Sequence, residues 1–400
     1  MQDLEGSVQH YLWGDERRIP EFLGRPADGR PWAEVWYGAH PLAPSRLADG
    51  RSLDEAIRQE PGEILGASVG SAFPERLPYL MKIISAAKPL SLQVHPTREH
   101  AAESFVAENA ANLPLGSPSR NYRDDNHKPE LLIALSDFTA LCGFRTPRRA
   151  AALLEGLGDG IAQRLHTLLM DSPTAHGMRA AVRALLAPTM RPPEAEIHEV
   201  VRACADRLRA GRSPSPRVDR IVATLAEHHP DDPGVIAALL LNPVSLRPNE
   251  AMFVPAGALH SYISGTGLEV MAASDNVLRA GLTSKRVDVE ELLACVSVLA
   301  APPVRVAPEH LSEATVAYYA PVDDFELSLT RLNGQSPSGQ GEALVPGTGP
   351  RIVLCLEGAV TLQTSTGSRG IRRGEAVLVP AADGTLRASG SGRFVQACVP

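Results

Sequence analysis

The stretch RPNEAMFVPAGALH, Arg247 to His260, returns without gaps as RRGEAVLVPAADGT, Arg372 to Thr385, and this repeat limits the folds open to the chain. Six positions match: Arg247 with Arg372, Glu250 with Glu375, Ala251 with Ala376, Val254 with Val379, Pro255 with Pro380 and Ala256 with Ala381. Each copy reads as a turn, a short apolar strand and a second turn opened by Pro and small residues. Two related β domains are therefore expected. They differ at one end, where the first copy closes on His260 and the second on Thr385.

A strand that leaves a turn and ends in Pro and small residues resembles the second half of a cupin-type jelly-roll barrel. The predicted class is mainly β with a helical insertion: two cupin-like jelly-roll barrels plus an α-helical domain. Four hundred residues also exceed what one hydrophobic core usually fills. Up to residue 147 the chain is rich in Pro, Gly and short runs such as LPYLMKIIS and PELLIALS, the pattern of an all-β domain with many turns. From Arg148 it changes to Ala/Leu/Arg-rich segments with apolar positions three and four apart, broken by SPTAHG, PTMRPPEAE and GRSPSP. Strand-like sequence resumes near Pro243, ELLACVSVLA reads as helix or strand, and APPVRVAP marks a boundary. The expected division is 1–147 and 243–300 as two parts of the first barrel, 148–242 as the helical insertion and 301–400 as the second barrel.

Composition excludes several partners. A net charge of -7 offers no basic surface to a nucleic-acid backbone or an anionic membrane. The opening MQDLEGSVQHYLWGDERR lacks a basic segment followed by an apolar one, and no run reaches the roughly 18 apolar residues of a membrane span. The chain reads as cytoplasmic. Its five cysteines are scattered, with no C-x-x-C, and are expected to be reduced, buried and inert.

The chemistry gathers in the first barrel. In SLQVHPTREH, Leu92 and Val94 share one face of an extended segment, so Gln93 and His95 converge on the other. That alternation alone also describes a strand with a solvated face. In DDNHKPELLIAL, Glu130 opens an apolar strand, where a carboxylate turned inward needs a cation. With His260, two imidazoles, one carboxylate and one amide oxygen form a nitrogen and oxygen set suited to zinc or another first-row divalent ion. No Q-x-H pair precedes the second copy of the repeat, so metal chemistry belongs to the first barrel.

These residues carry a resemblance. YLWG at 11–14, PWAEVWYGAHPLAPSRL at 31–47, LPYLMKIISAAKPLSLQVHP, DDNHKPELLIAL, PAGALHSYISGTGLEVMAASDNVLRAGLTSKRVDVEEL and the closing RIVLCLEGAVTL with RRGEAVLVPA follow the order of the type I mannose-6-phosphate isomerases. The resemblance implies a catalytic cupin domain interrupted by a helical domain and followed by a second cupin-like domain. It implies one zinc ion per chain, held by Gln93, His95, Glu130 and His260. The chain departs from the family at Thr97 and Arg98, where an acidic residue and a lysine usually stand, and guanidinium is not equivalent to ammonium.

The activity implied is interconversion of mannose 6-phosphate and fructose 6-phosphate through a cis-enediol. A base must remove a carbon-bound proton, and the developing oxyanion must be stabilised. Glu269, Asp275, His127 and Lys128 lie in matching motifs and are the candidate bases. Arg279 is expected to answer enediolate or phosphate charge. Lys285 and Ser91 are expected to bind phosphate, and Tyr262 to line the pocket near His260. The expected partner is a hexose 6-phosphate, with no nucleic acid and no membrane, and the chain is expected to act as a monomer or weak homo-oligomer. Ligand chemistry alone leaves open another sugar-modifying cupin, an epimerase or oxygenase, or a sugar-phosphate-binding regulator without turnover.

Overall fold

The computed structural model describes residues 1–334 and 342–400, and most of its β structure lies in two antiparallel sheets. The first runs in the order Val304–Val306, Ala251–Val254, Glu130–Ala134, His260–Ala272, Tyr79–Ala86, Glu34–Tyr37 and Ser7–Gln9. Leu92–Val94, Leu278–Gly281, Phe138–Phe144 and Leu241–Leu246 join it as a further layer. The strand His260–Ala272 makes the corner. Its first residues pair with Leu92–Val94 and Phe138–Phe144, and its later ones with Tyr79–Ala86 and Glu130–Ala134. A register shift between Tyr262 and Ser264 and Gly265 at φ +122° turn the strand between layers. A Cβ at Gly265 would stand 2.6 Å from the carbonyl oxygen of Asp137, so only glycine fits this corner.

The second sheet runs Glu309–His310, Thr315–Tyr318, Glu326–Asn333, Leu386–Val399, Thr348–Thr364, Ala376–Val379, Gln2–Glu5 and Arg46–Leu47. The sheets exchange strands. Gln2–Glu5, from the start of the chain, pairs with Ala376–Val379, while Val304–Val306 pairs with Ala251–Val254, across the boundary drawn at 300. One apolar cluster spans both, with Val35, Ile83 and Leu131 joined to Leu354, Leu378 and Val395. The hydroxyl of buried Tyr79 lies 3.1 Å from the Pro350 carbonyl oxygen and 3.0 Å from that of Ala397.

The sequence repeat is a repeat of hydrogen bonds. The carboxylate of Glu250 accepts from the Arg247 amide at 2.8 Å, and that of Glu375 accepts from the Arg372 amide at 2.8 Å. The left-handed residue of the turn is Asn249 in one copy and Gly374 in the other. Asn249 N donates to Ala134 O at 2.8 Å and Gly374 N to Cys355 O at 2.9 Å. Ala251–Val254 lies antiparallel to Glu130–Ala134, and Ala376–Val379 lies antiparallel to Arg351–Leu354 in the equivalent register. This register aligns PELLIA with PRIVLC, a second pair of matched segments that sequence comparison of the turns alone does not reveal.

Helices Pro147–Leu154, Ile161–Asp171, Ala175–Leu186, Glu194–Arg209, Pro216–His228 and Gly234–Ala237 fill the stretch read as helical. They share a core that includes Leu165, Val182, Ile197 and Val222 and extends to Leu92 and Leu278 of the first sheet. The first 147 residues are not all β. Helices Leu53–Gln59 and Arg98–Ala110 lie within them, each begun by a local cap. Ser52 and Glu55 form a capping box, and Thr97 Oγ1 accepts from His100 N at 3.3 Å. The ambiguous stretch after residue 288 is a helix, Val289–Cys295. All five cysteines are free and buried, and among the described residues no helix is long and apolar enough to cross a membrane.

Candidate metal centre and substrate pocket

The corner strand and its neighbours bring the four expected ligands to one place. His260 lies opposite Gln93 in the ladder, and Gln93 lies opposite Arg279 on its other side, so all three stand on one face. Glu130 begins its strand directly across from Val254. The Glu130 carboxylate is 3.1 Å from His95 Nε2 through one oxygen and 3.4 Å from His260 Nε2 through the other. Ligand atoms of His95, Glu130 and His260 all fall within 4.8 Å of one another, and all three residues are buried. The Gln93 amide sits 3.4 Å from His260 Nε2; turning it about its last bond puts Oε1, the ligating atom, there. Ser91 Oγ is 3.4 Å from the same amide.

Both imidazoles are held from behind. His95 Nδ1 lies 2.8 Å from the Asn276 carbonyl oxygen, and His260 Nδ1 lies 3.0 Å from that of Ala258. With each Nδ1–H donating to a carbonyl, each Nε2 presents a lone pair to the shared space. His95 Nε2 is buried without a hydrogen-bond partner, which a divalent cation would satisfy. Burial lowers the His95 pKa to about 4 despite Glu130, so the ring is neutral and able to ligate. Burial opposes ionisation of Glu130, and its carboxylate faces both Nε2 lone pairs, so the charge needs a cation among these three residues. Tyr262 donates to the same carboxylate at 3.1 Å, and burial pushes its own hydroxyl pKa far up.

A cleft of about 640 Å³ opens over these ligands, with Lys82, Lys128, Glu269, Asp275, Arg279 and Lys285 on its walls. Lys82 was not among the sequence candidates. It is the one charged residue of the wholly buried strand Tyr79–Ala86 and lies opposite Glu269 in register. Its Nζ is 3.3 Å from Glu269 and 3.9 Å from Glu34, and 5.2 Å from the Trp36 ring centroid. Trp36 Nε1 donates to Glu34 at 2.7 Å. A lysine inside an apolar run was the available signal, because such a charge is stable only with partners.

The charges on these walls divide by environment. Burial works against the Lys82 cation, but Glu34, Glu269 and Glu130 outweigh it and raise its pKa. Burial and then Lys82 lower the pKa of Lys128, whose Nζ is 3.9 Å from Glu130. Burial and then Glu130 raise that of Glu269, against Lys82. At the mouth, burial lowers the pKa of Lys285, and Arg279 and Arg123 lower it further. Asp275 lies 3.9 Å from both His40 Nε2 and Arg123 Nε, and no ion pair with Arg279 is found among the described residues.

One candidate lies elsewhere. His127 Nε2 is 2.8 Å from Asp324, which also accepts from Arg98 at 3.0 and 3.1 Å. His127 and Arg98 line a separate cleft of about 1020 Å³ beside Pro321 to Asp324, not the one above Glu130. Thr97 and Arg98 therefore serve as a helix cap and as a partner of Asp324.

A mainly β chain whose sheet converges two imidazoles and a carboxylate in its interior, beneath a cleft lined by lysine, arginine and carboxylate side chains, defines a metal-site β protein with a polar ligand cleft. A family profile described as "Phosphomannose isomerase type I, catalytic domain" matches residues 1–147. The mannose-6-phosphate isomerase of Salmonella typhimurium is 38% identical over 404 residues, covering 99% of each chain, and that of Escherichia coli K12 is 35% identical with 99% of each covered. The crystal structure of the Salmonella typhimurium enzyme bound to fructose 6-phosphate and zinc superposes with a TM-score of 0.88 at 35% identity, covering 100% of this chain and 99% of that one. The chain belongs to the type I mannose-6-phosphate isomerase family.

Proposed function

We propose that the protein interconverts D-mannose 6-phosphate and D-fructose 6-phosphate with the aid of one zinc ion per chain. The observation that carries this reading is the buried His95–Glu130–His260 set with an unpartnered Nε2, placed under a pocket walled by Lys128, Arg279 and Lys285 together with the Lys82–Glu269 pair and Asp275. The Salmonella typhimurium relative, solved with zinc and fructose 6-phosphate, supports the same metal and substrate class. Gln93, His95, Glu130 and His260 hold the ion, which when bound supplies a Lewis acid for the sugar oxygens.

The chain's own groups do the rest. Lys285, with Ser91, takes the phosphate at the outer end of the cleft. Lys128 is the base that moves the proton between C1 and C2. Burial and then Lys82 lower its pKa, which eases loss of the ammonium proton, and no carboxylate oxygen approaches it more closely than 3.9 Å among the described residues. The Lys82–Glu269 pair keeps a fixed cation beside the reacting carbons, and Arg279, next to Gln93 in the ladder, answers the charge of the enediolate. Asp275 orients the mouth through His40 and Arg123.

The proposed architecture is a catalytic cupin-like jelly roll formed by 1–147 and 243–300, a helical insertion at 148–242 and a metal-free cupin-like barrel at 301–400. The strands Gln2–Glu5 and Val304–Val306 cross between the barrels. Ketose formation from mannose 6-phosphate without oxygen uptake tests the reaction class. Oxygen consumption in step with sugar loss would replace isomerisation by oxidation.

A further inference from the structure

Asn276 is fully buried, and its side chain carries no role in the account above, yet every polar atom of that side chain is engaged. Nδ2 donates to Asp124 O at 2.8 Å, to Asp124 Oδ1 at 3.1 Å and to Asn126 O at 2.9 Å. Oδ1 accepts from Arg123 N at 2.7 Å and from Asp124 N at 3.3 Å. The side chain thus binds the 123–126 loop, which leads directly into Lys128 and Glu130. Its own carbonyl meanwhile fixes the His95 ring at Nδ1.

Neighbours stiffen this joint. Ser274 Oγ donates to Asp124 Oδ1 at 2.7 Å and accepts from Asn276 N at 3.2 Å, and Asp275 N donates to Asp124 Oδ2 at 2.7 Å. One buried asparagine, through its side chain on the loop and its backbone carbonyl on His95, therefore ties together two segments that are remote in sequence, one bearing His95 and the other Glu130. An aspartate of similar shape would put an oxygen against three acceptors, and an alanine would remove all five hydrogen bonds from the side chain to the loop.

We propose that Asn276 is a positioning residue for the metal centre: by clamping the 123–126 loop and the His95 ring together, it pre-sets the ligand spacing for a divalent ion. The inference rests on the zinc reading of the site. Its function is read in metal affinity. Outer partners of metal ligands commonly contribute ~10–100-fold to affinity, and a clamp of this kind should fall in that range.

The test is zinc binding to the metal-stripped full-length protein by competition with a chromophoric chelator, for wild type, Asn276→Ala and Ser274→Ala. The thermal midpoint of each zinc-free form is measured alongside. The expected result is a zinc dissociation constant raised by ~10-fold or more in Asn276→Ala and by a smaller factor in Ser274→Ala, with the stoichiometry still one. Turnover of Asn276→Ala should recover when zinc is supplied well above the new constant. Should Asn276→Ala fail to fold, the milder Ser274→Ala decides. Unchanged zinc affinity in folded variants, with only the zinc-free midpoint lowered, would make the joint purely structural and overturn the proposal. Failure of the wild type to bind zinc would instead remove the metal reading beneath it.

Discussion

Glu130 and Arg351 hold the same position in two copies of one strand pair: Glu130 faces Val254 across the ladder, and Arg351 faces Val379, the repeat partner of Val254. Where the first copy carries a carboxylate that needs a cation, the second carries a side chain that is itself a cation. Arg351 is fully buried, donates to the carbonyls of Gly347 and Gly384, and has no carboxylate within ion-pair distance among the described residues. The repeat partner of His260 is Thr385, which is exposed. Charge and ligand type both set the two copies apart, which supports the proposal that the metal is confined to the first.

This contrast predicts a double dissociation. Arg351→Glu places a carboxylate against two carbonyl oxygens that cannot donate to it, and should destabilise the fold by about 3 kcal/mol or more. Zinc stoichiometry should remain one per chain, because restoring the carboxylate restores neither the histidine nor the Q-x-H pair. Glu130→Ala should do the reverse, losing zinc with a smaller effect on the zinc-free urea midpoint. Metal analysis with urea unfolding of both variants separates the roles.

Lys82 gives the second prediction. Lys82→Met leaves Glu269 and Glu34 buried beside an apolar side chain, which should cost about 3–5 kcal/mol of stability. Turnover should fall by ~100-fold or more through loss of the fixed cation beside the reacting carbons. Adding Glu269→Gln removes one of the two uncompensated charges, so the double variant should regain part of the stability without regaining rate. Recovery of both together would make the pair structural.

Arg279→Lys keeps the charge and loses the planar fork, and kcat/KM should fall at least ~10-fold, about 1.4 kcal/mol. Its place opposite Gln93 puts it beside the metal ligands, so the fall should appear in kcat with KM nearly unchanged. A raised KM for mannose 6-phosphate at constant kcat would assign Arg279 to the phosphate instead.

The pH dependence of the zinc-free protein follows from His40, which packs edge-on against Trp36 with ring centroids 4.7 Å apart. Burial lowers its pKa to about 4, over the opposing pull of Asp275. The unfolded chain takes up this proton near pH 6.5, so between there and about pH 4 the unfolded state binds more protons and stability falls as pH falls. Urea midpoints at stepped pH should drop through that window. His40→Gln should reduce the drop and leave the share contributed by His95, whose pKa burial also lowers to about 4.

The parts of this arrangement differ in how far sequence exposed them, and the reason is distance along the chain. Gln93, His95, Glu130 and His260 each stand at a turn or strand end with their own short signature, so they could be read singly and grouped. Lys82 could not, because its strand looks like ordinary core until Glu269, far downstream, is placed across the ladder. His127 and Lys128 are chain neighbours and share a motif, yet one turns to Asp324 and the other to the pocket. Motif membership carries no direction. The helices begun at Ser52 and Thr97 were signalled by caps that the surrounding Pro- and Gly-rich pattern obscured. The pairing of Gln2–Glu5 into the second sheet left no local trace at all, since pairing partners at opposite ends of a chain share no pattern.

The measurement that bears most directly on the whole account is the rate of fructose 6-phosphate formation from mannose 6-phosphate before chelation, after it, and after titration with zinc. The account predicts that stripping the metal lowers the rate by ~100-fold or more and that recovery is complete at one zinc per chain. It also predicts that His260→Ala neither retains the ion nor recovers. Full activity in the stripped wild-type protein, or in His260→Ala without bound metal, would contradict it.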